Sequence, residues 1–449
     1  MKTILAVVPH FPSPVNSADG QANYLTSLVP VLGLHDEIEV QIIALQVGDQ
    51  PAVQSGEGWS VTRVSPPKKL PDVFALYLPE HLQSSLNALD LAARRAAKSL
   101  GLDTPVWCHG YETGNTVKTL TENGHHVVAV VHYSVGIETM HDLALGDDPT
   151  RRKAFHSPWA TAIGQIWPKR HREVGVRWAS RIGKYSQHAP LPEAIQTQFR
   201  KLALERNLIA NASKIIAVGP SFEREINQLY PCTASRSTAV IAGAPNQIPS
   251  PKWPQPIEPN PIRIVMVGRP TGQKGWDYAC EAFEAISDQH AKSIQLVLIG
   301  GLGQGNGPYS AYSERVAGRF KQLKGISVHN LGALSHTETL AHLAAADLLL
   351  FPSVFEPLGL VILEAMAAGC NILASDAAGP SDLLSEPWGH IMPFKNPASR
   401  VQAIVDGLDS FLELSRDQID SNGEAAQKSA SIFTWNECAS VHFEALLRR

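Results

Sequence analysis

Short apolar runs rich in Val and Ile recur along the chain and most constrain its fold. They are Ile4–Val8, Val40–Leu45, Val127–His132, Ile215–Val218 and Val240–Ile241, then Ile262–Val267, Leu296–Ile299, Leu348–Phe351 and Ile372–Ser375. Runs this short and this uniformly apolar suit strands buried on both faces, as in a parallel sheet covered by helices. The intervening stretches read as helices, and strand–helix alternation is the pattern of doubly wound α/β folds. The series is interrupted once. Residues 245–261 read PNQIPSPKWPQPIEPNP, with seven prolines. Proline lacks the amide a sheet ladder needs and fixes φ, so this stretch reads as a linker between two α/β domains. With 449 residues there is chain enough for two or three domains. The expected boundaries are 1–245 and 246–432, with a last helix over 433–449 able to pack on either domain.

Composition narrows the class. Apolar residues make up 44% and charged residues 18%, which suits a globular chain. No apolar run approaches the length of a membrane span. Met1-Lys2 leads into ILAVV and then Pro9, too short an apolar region for a secretory signal. The formal net charge of −4 argues against nucleic acid as a partner of the whole protein. Five scattered cysteines without a CxxC pair read as reduced thiols of a cytoplasmic protein. Residues 151–184 depart from the average, with nine Lys or Arg against one acid, Glu173, and with Trp159, Trp167 and Trp178 interleaved. Such a segment is a solvated basic face, a patch for an anionic acceptor or an anionic membrane surface, or, last in order, a contact for nucleic acid.

Candidate site residues cluster where strands end. Gly20 precedes the first helix, where free amides and the helix dipole favour an anion. His132 closes the run HHVVAVVH. After Ile264–Val267 comes Gly268-Arg269-Pro270-Thr271-Gly272-Gln273-Lys274-Gly275, which sets two cations at the carboxyl end of a strand and suits phosphate. Residues 300–307, GGLGQGNG, lack the offsets of a dinucleotide fingerprint and read as a flexible loop. The most specific stretch is 351–369, FPSVFEPLGLVILEAMAAG. Glu356 lies in a loop kept irregular by Pro357 and Gly359, and Leu360 opens a helix that carries Glu364. Carboxylates in such positions accept from the vicinal hydroxyls of sugars and ribose. No Asp-x-Asp, Cys/His cluster, H-E-x-x-H or G-x-S-x-G occurs, so no metal site is expected.

Together, GRPTGQKG (268–275) and FEPLGLVILEAMAAG (355–369) resemble the retaining, nucleotide-sugar-dependent glycosyltransferases of the GT-B fold, glycosyl transferases group 1, the fourth sequence family. The Glu-x7-Glu pair at 356 and 364 is that family's hallmark. The likeness is clearest over about 262–400 and recognisable at 19–28, 130–136 and 205–226. It departs at Gly20-Gln21, where many members have paired glycines, and at Gly243-Ala244-Pro245-Asn246, where Asn-Gly is usual; the acid common after the next glycine pair appears as Asp382. The resemblance implies two Rossmann-like domains facing across a cleft, the N-terminal one for acceptor and the C-terminal one for nucleotide sugar. It assigns Arg269 and Lys274 to the donor diphosphate, Glu364 to ribose, Glu356 to the transferred sugar, His132 to the far side of that sugar and the Gly20 amide to the diphosphate. Gly268, Gly359 and Leu360 would line the donor site. No divalent metal or other cofactor is expected, and UDP is favoured as the nucleotide. The acceptor is left open as a small molecule, a lipid-linked group or a glycan. A cytoplasmic protein, with contact to the inner membrane face through 151–184, fits this reading. A catalytically silent scaffold or another GT-B enzyme, such as an epimerase or phosphorylase, are its rivals.

Overall fold

The computed structural model describes residues 2–11, 20–34, 38–72, 74–139, 193–254, 261–286, 293–304 and 310–448. The basic segment 151–184 lies outside them. The chain divides into two units; one holds the described residues through Ala242 together with Trp435 onward, the other Gly243–Thr434. The proline-rich stretch thus begins the second unit, and the last helix belongs to the first.

The first unit is built on an eight-stranded sheet in the order β3-β4-β2-β1-β5-β6-β7-β8. The strands are β1 (Lys2–His10), β2 (Ile38–Leu45), β3 (Val53–Gly56), β4 (Trp59–Val64), β5 (Val106–His109), β6 (Val127–Val131), β7 (Lys214–Val218) and β8 (Ser237–Val240). All neighbours are parallel except the β3–β4 hairpin at one edge. Every residue of β5 and β6 is buried, as expected of central strands covered on both faces. Helices α1 (Gly20–Gly33), α2 (Pro79–Leu100), α3 (Gly114–Glu122), α4 (Glu193–Asn211) and α5 (Pro220–Leu229) belong to this unit.

The second unit has a six-stranded sheet of β9 (Ile262–Val267), β10 (Ile294–Ile299), β11 (Ser327–Gly332), β12 (Leu348–Phe351), β13 (Asn371–Ser375) and β14 (Gly389–Met392). Its order is β11-β10-β9-β12-β13-β14, parallel throughout. Renumbered within the unit this is 3-2-1-4-5-6, the Rossmann order. The connection from β11 to β12 crosses β10 and β9, and it carries helix α8 (His336–Leu343). The order reverses between β9 and β12, and α/β folds bind ligands in the crevice outside the carboxyl ends at such a reversal. The other helices here are α6 (Trp276–Ala285), α7 (Ser310–Phe320), α9 (Leu360–Ala368), α10 (Ala378–Leu383), α11 (Arg400–Leu412) and α12 (Arg416–Ala430).

The last helix, α13 (Trp435–Leu447), buries Cys438, Ala439, His442, Ala445 and Leu446. That stripe of helical period packs against α1, β6 and β7 of the first unit. No described helix is long and apolar enough to cross a membrane.

Candidate functional sites

In the second unit the two motif loops meet at the point of strand reversal. The loop after β9 begins at Gly268, whose amide donates to Ile299 O at 3.0 Å. It then makes one 3-10 turn over Gly272–Lys274 before α6. Gly275 ends the turn in the left-handed region, at φ 70°, and a β-carbon there would sit 2.0 Å from the Pro352 carbonyl oxygen. Only glycine allows that approach. The Val354 amide donates to Gln273 O at 2.7 Å, which ties the β12 loop to the β9 loop. From the other side the Gly379 amide donates to Glu356 O at 2.9 Å. The β12 loop is therefore held along its length by backbone contacts.

This packing sets Lys274 against Glu356. Their side chains form an ion pair, and the Lys274 ammonium also lies 5.4 Å from the centre of the Phe351 ring. Lys274 is 22% and Glu356 12% exposed, so the pair is shielded yet open to a ligand. Arg269, five residues earlier, is exposed; its carbonyl accepts from Trp276 Nε1 at 2.9 Å and fixes the loop at that residue. Gly359 takes φ 83° at the start of α9. Leu360 opens the helix; the Ile362 amide donates to Gly359 O at 2.8 Å, which leaves the amides of Leu360 and Val361 as the ones helical geometry does not pair.

Glu364 lies on the second turn of α9 and meets a different partner. His336 Nε2 donates to Glu364 Oε1 at 2.8 Å. The hydrogen bond to Glu364 raises the His336 pKa above the ordinary histidine value, against the opposing effect of burial. His336 is the first residue of α8, fixed by a capping box in which Ser335 and Glu338 satisfy each other's backbone amides. Sequence reading passed over His336. Its signal was the capping box S-H-T-E, which announces a helix start but not a partner for Glu364.

The expected flexible loop at Gly300 is corrected in its described part. A β-carbon on Gly300 would lie 1.8 Å from Gly268 O. Leu302 is buried, its carbonyl accepts from Asn330 Nδ2 at 2.7 Å, and the Gly303 amide donates to Ser313 Oγ at 2.7 Å. Gly300 is needed for close packing beside the β9 loop and Gly303 for close packing against Ala317 of α7, and the segment 305–309 lies outside the described residues.

In the first unit, the carboxyl ends of adjacent strands carry histidines: His10 on β1, His109 on β5, and His132 just after β6. His132 Nε2 and His109 Nδ1 are hydrogen-bonded at 2.8 Å. Tyr24 packs edge-on against His132, with ring centres 4.8 Å apart. The Tyr24 hydroxyl in turn bonds His442 Nε2 at 2.7 Å and lies 3.1 Å from Cys438 Sγ on α13. His442 is fully buried, and burial pushes its pKa down to about 3. Burial, followed by the neighbouring His132 and His442, holds His109 well below its ordinary value too. Both therefore stay neutral at physiological pH.

The turn after His132 has its own anchor. Buried Glu205 on α4 accepts from Ser134 Oγ at 3.0 Å, from the Gly136 amide at 3.1 Å, from the Val135 amide, and from Tyr230 Oη at 2.6 Å. Burial raises the Glu205 pKa, and these four donors oppose the rise. Gly20, the other expected residue in this half, is the exposed first residue of α1. His109, Tyr24, His442 and Glu205 were not singled out from sequence, because each is a polar residue inside an otherwise ordinary strand or helix pattern.

Comparison with known proteins places these features. Residues 248–428 match the family described as glycosyl transferases group 1, a span that includes both motif loops, Glu364 and His336. A glycogen synthase of Mycobacterium tuberculosis is 28% identical over 249 residues, covering 55% of this chain and 56% of that protein. An alpha-maltose-1-phosphate synthase of Mycolicibacterium smegmatis is 30% identical over 200 residues, 41% of this chain and 49% of its own length. The matches thus span about half of these relatives. Across nearly the whole chain, the fold is that of the sucrose-phosphate synthase of Thermosynechococcus elongatus, with TM-score 0.69 at 18% identity, covering 99% of this chain and 98% of that one. The catalytic domain of starch synthase IV from Arabidopsis thaliana gives TM-score 0.67 at 13% identity, covering 100% and 99%. The second unit thus resembles the glycosyl transferases group 1 family over residues 248–428, and the pair of Rossmann-like domains gives the chain the GT-B fold.

Proposed function

We propose that this protein is a retaining glycosyltransferase that moves a hexose-type sugar from a nucleotide diphosphate sugar, with UDP favoured, to a hydroxyl acceptor. The observation that carries the reading is the Lys274–Glu356 pair, formed where the β9 and β12 loops meet at the reversal of a 3-2-1-4-5-6 sheet. Lys274 and Arg269 are assigned to the diphosphate, together with the first amides of α9. A diphosphate offers Lys274 more negative charge than one carboxylate. Its arrival would draw the ammonium from Glu356 and free that carboxylate to accept from the sugar's hydroxyls. Glu364 is assigned to the ribose hydroxyls. His132 and Gly20 enter through the sequence resemblance, His132 at the transferred sugar and Gly20 at the diphosphate.

In the reaction, the bond between sugar C1 and the donor phosphate oxygen breaks. A new bond from the acceptor oxygen to C1 forms on the same face, and the acceptor's proton passes to the departing phosphate oxygen. Nucleoside diphosphate leaves. Cations and amides already in place stabilise the charge that grows on this leaving group, without reorganisation during the step. Charge neutralisation by Arg269 and Lys274 makes the step metal-independent in this reading. The test is nucleotide release from UDP-, GDP- and ADP-sugars in EDTA, with NMR of the released sugar. Release with the anomeric configuration kept supports the reading; no release from any donor points to a silent scaffold, and inversion refutes retention.

A further inference from the structure

The crossover helix α8 brings His336 to Glu364, and this contact has a consequence for ribose recognition. A carboxylate on a helix turns freely about its last torsions unless something holds it. Here His336 Nε2–H occupies Oε1 at 2.8 Å, and the Glu364 side chain is only 12% exposed. One oxygen is therefore spoken for and the plane of the carboxylate is set, which leaves Oε2 to meet an incoming pair of hydroxyls. His336 itself is well anchored: its backbone belongs to the capped first turn of α8, and α8 packs on α9 and β9. The side chain is 39% exposed, so the contact is not a requirement of the hydrophobic core.

We infer that His336 is a positioning residue for the nucleotide site: it orients Glu364 so that Oε2 accepts from the ribose hydroxyls and thereby sets the discrimination between ribo- and deoxyribonucleotides. This rests on the assignment of Glu364 to ribose made above. Hydrogen bonds to charged groups are among the stronger ones, so their loss corresponds to about tenfold or more in affinity.

The experiment measures binding of UDP, 2′-deoxy-UDP and 3′-deoxy-UDP by calorimetry to the wild type and to Glu364→Ala, His336→Ala and His336→Gln. Wild type is expected to prefer UDP over at least one deoxy analogue by about tenfold or more. Glu364→Ala is expected to abolish that preference. His336→Ala should reduce it to within about threefold of unity, with the thermal transition retained. His336→Gln carries an amide N–H at a similar reach and should restore most of it. A His336→Ala protein that keeps the wild-type preference overturns the inference while leaving Glu364's role intact. A His336→Gln protein as defective as His336→Ala also overturns it, because the donor would then be irrelevant. No preference in the wild type, or an unchanged preference in Glu364→Ala, overturns the ribose assignment itself.

Discussion

Lys274 and Glu356 form one pair yet are expected to fail in different ways when removed. Replacing Lys274 or Arg269 with alanine removes charge from the leaving-group site, and kcat/KM should fall 10²-fold or more, about the loss for one oxyanion-hole donor. Activity within a few-fold of wild type in both variants would remove them from the site. Glu356→Ala should leave the affinity for free UDP nearly unchanged while transfer collapses, because its assigned partner is the sugar. Glu364→Ala should weaken UDP and UDP-sugar together, and calorimetry with the free nucleotide separates the two; equal losses would refute the assignment. These residues were legible in the sequence through spacing, since Glu-x7-Glu and the two cations stand in unusual loop contexts. Their partners were not. Nothing in the sequence ties residue 336 to residue 364, or 24 to 442, because those contacts arise only when the crossover helix and the last helix are docked.

At the scale of elements, two glycines make opposite predictions. Gly275 holds a left-handed conformation, and a β-carbon there would run into the Pro352 carbonyl oxygen. Gly275→Ala should destabilise by about 2 kcal/mol or more, through backbone strain and overpacking, and should weaken UDP binding by parting the two loops. Gly318, inside α7, has nothing within 4 Å of an added β-carbon. Gly318→Ala should therefore stabilise by about 0.5–1 kcal/mol, the helix-propensity gain. Urea unfolding monitored in parallel decides both, and a neutral Gly275→Ala would show that the loops are not locked. The strands follow the same logic of visibility. Central strands such as Ile262–Val267 and Leu348–Phe351 were read from the sequence to the residue, since burial of their central residues makes them apolar throughout apart from Arg263. Edge strands β11 (SVHNLG) and β14 (GHIM) were missed, because an edge strand carries polar side chains and glycine. Strand β5 (VWCH) was missed because its four buried residues include Trp, Cys and His and form no Val- or Ile-rich run.

For the whole molecule, the seven-proline stretch located the change from one sheet to the next, but the seat of α13 could not be read from its own pattern. Its stripe is equally apolar toward any partner; the contacts with Tyr24 and with Ala445 O, which His126 Nε2 approaches at 2.9 Å, fix it on the first unit. This seat makes stability acid-sensitive. His442 has a pKa of about 3 when folded against an ordinary 6.5, so the unfolded chain takes up a proton first as pH falls. Stability is full above about 6.5 and declines between there and 3, by about 1.4 kcal/mol per pH unit, or roughly 2 kcal/mol at pH 5. His109 acts in the same direction. His442→Gln keeps a partner for Tyr24 and should flatten the loss between pH 7 and pH 5; an unchanged slope would contradict this origin of the acid sensitivity.

The central claim is that the loops carrying Lys274 and Glu356 bind a nucleotide diphosphate sugar. A thermal-shift series with UDP-glucose, GDP-mannose and ADP-glucose, on the wild type and on Lys274→Ala in EDTA, addresses it most directly. Ligand at about a hundredfold over Kd adds roughly 2.7 kcal/mol of stability. The account predicts an upward shift with the UDP-sugar that is largely lost in Lys274→Ala. No shift with any of the three donors, or an equal shift in both proteins, would contradict it.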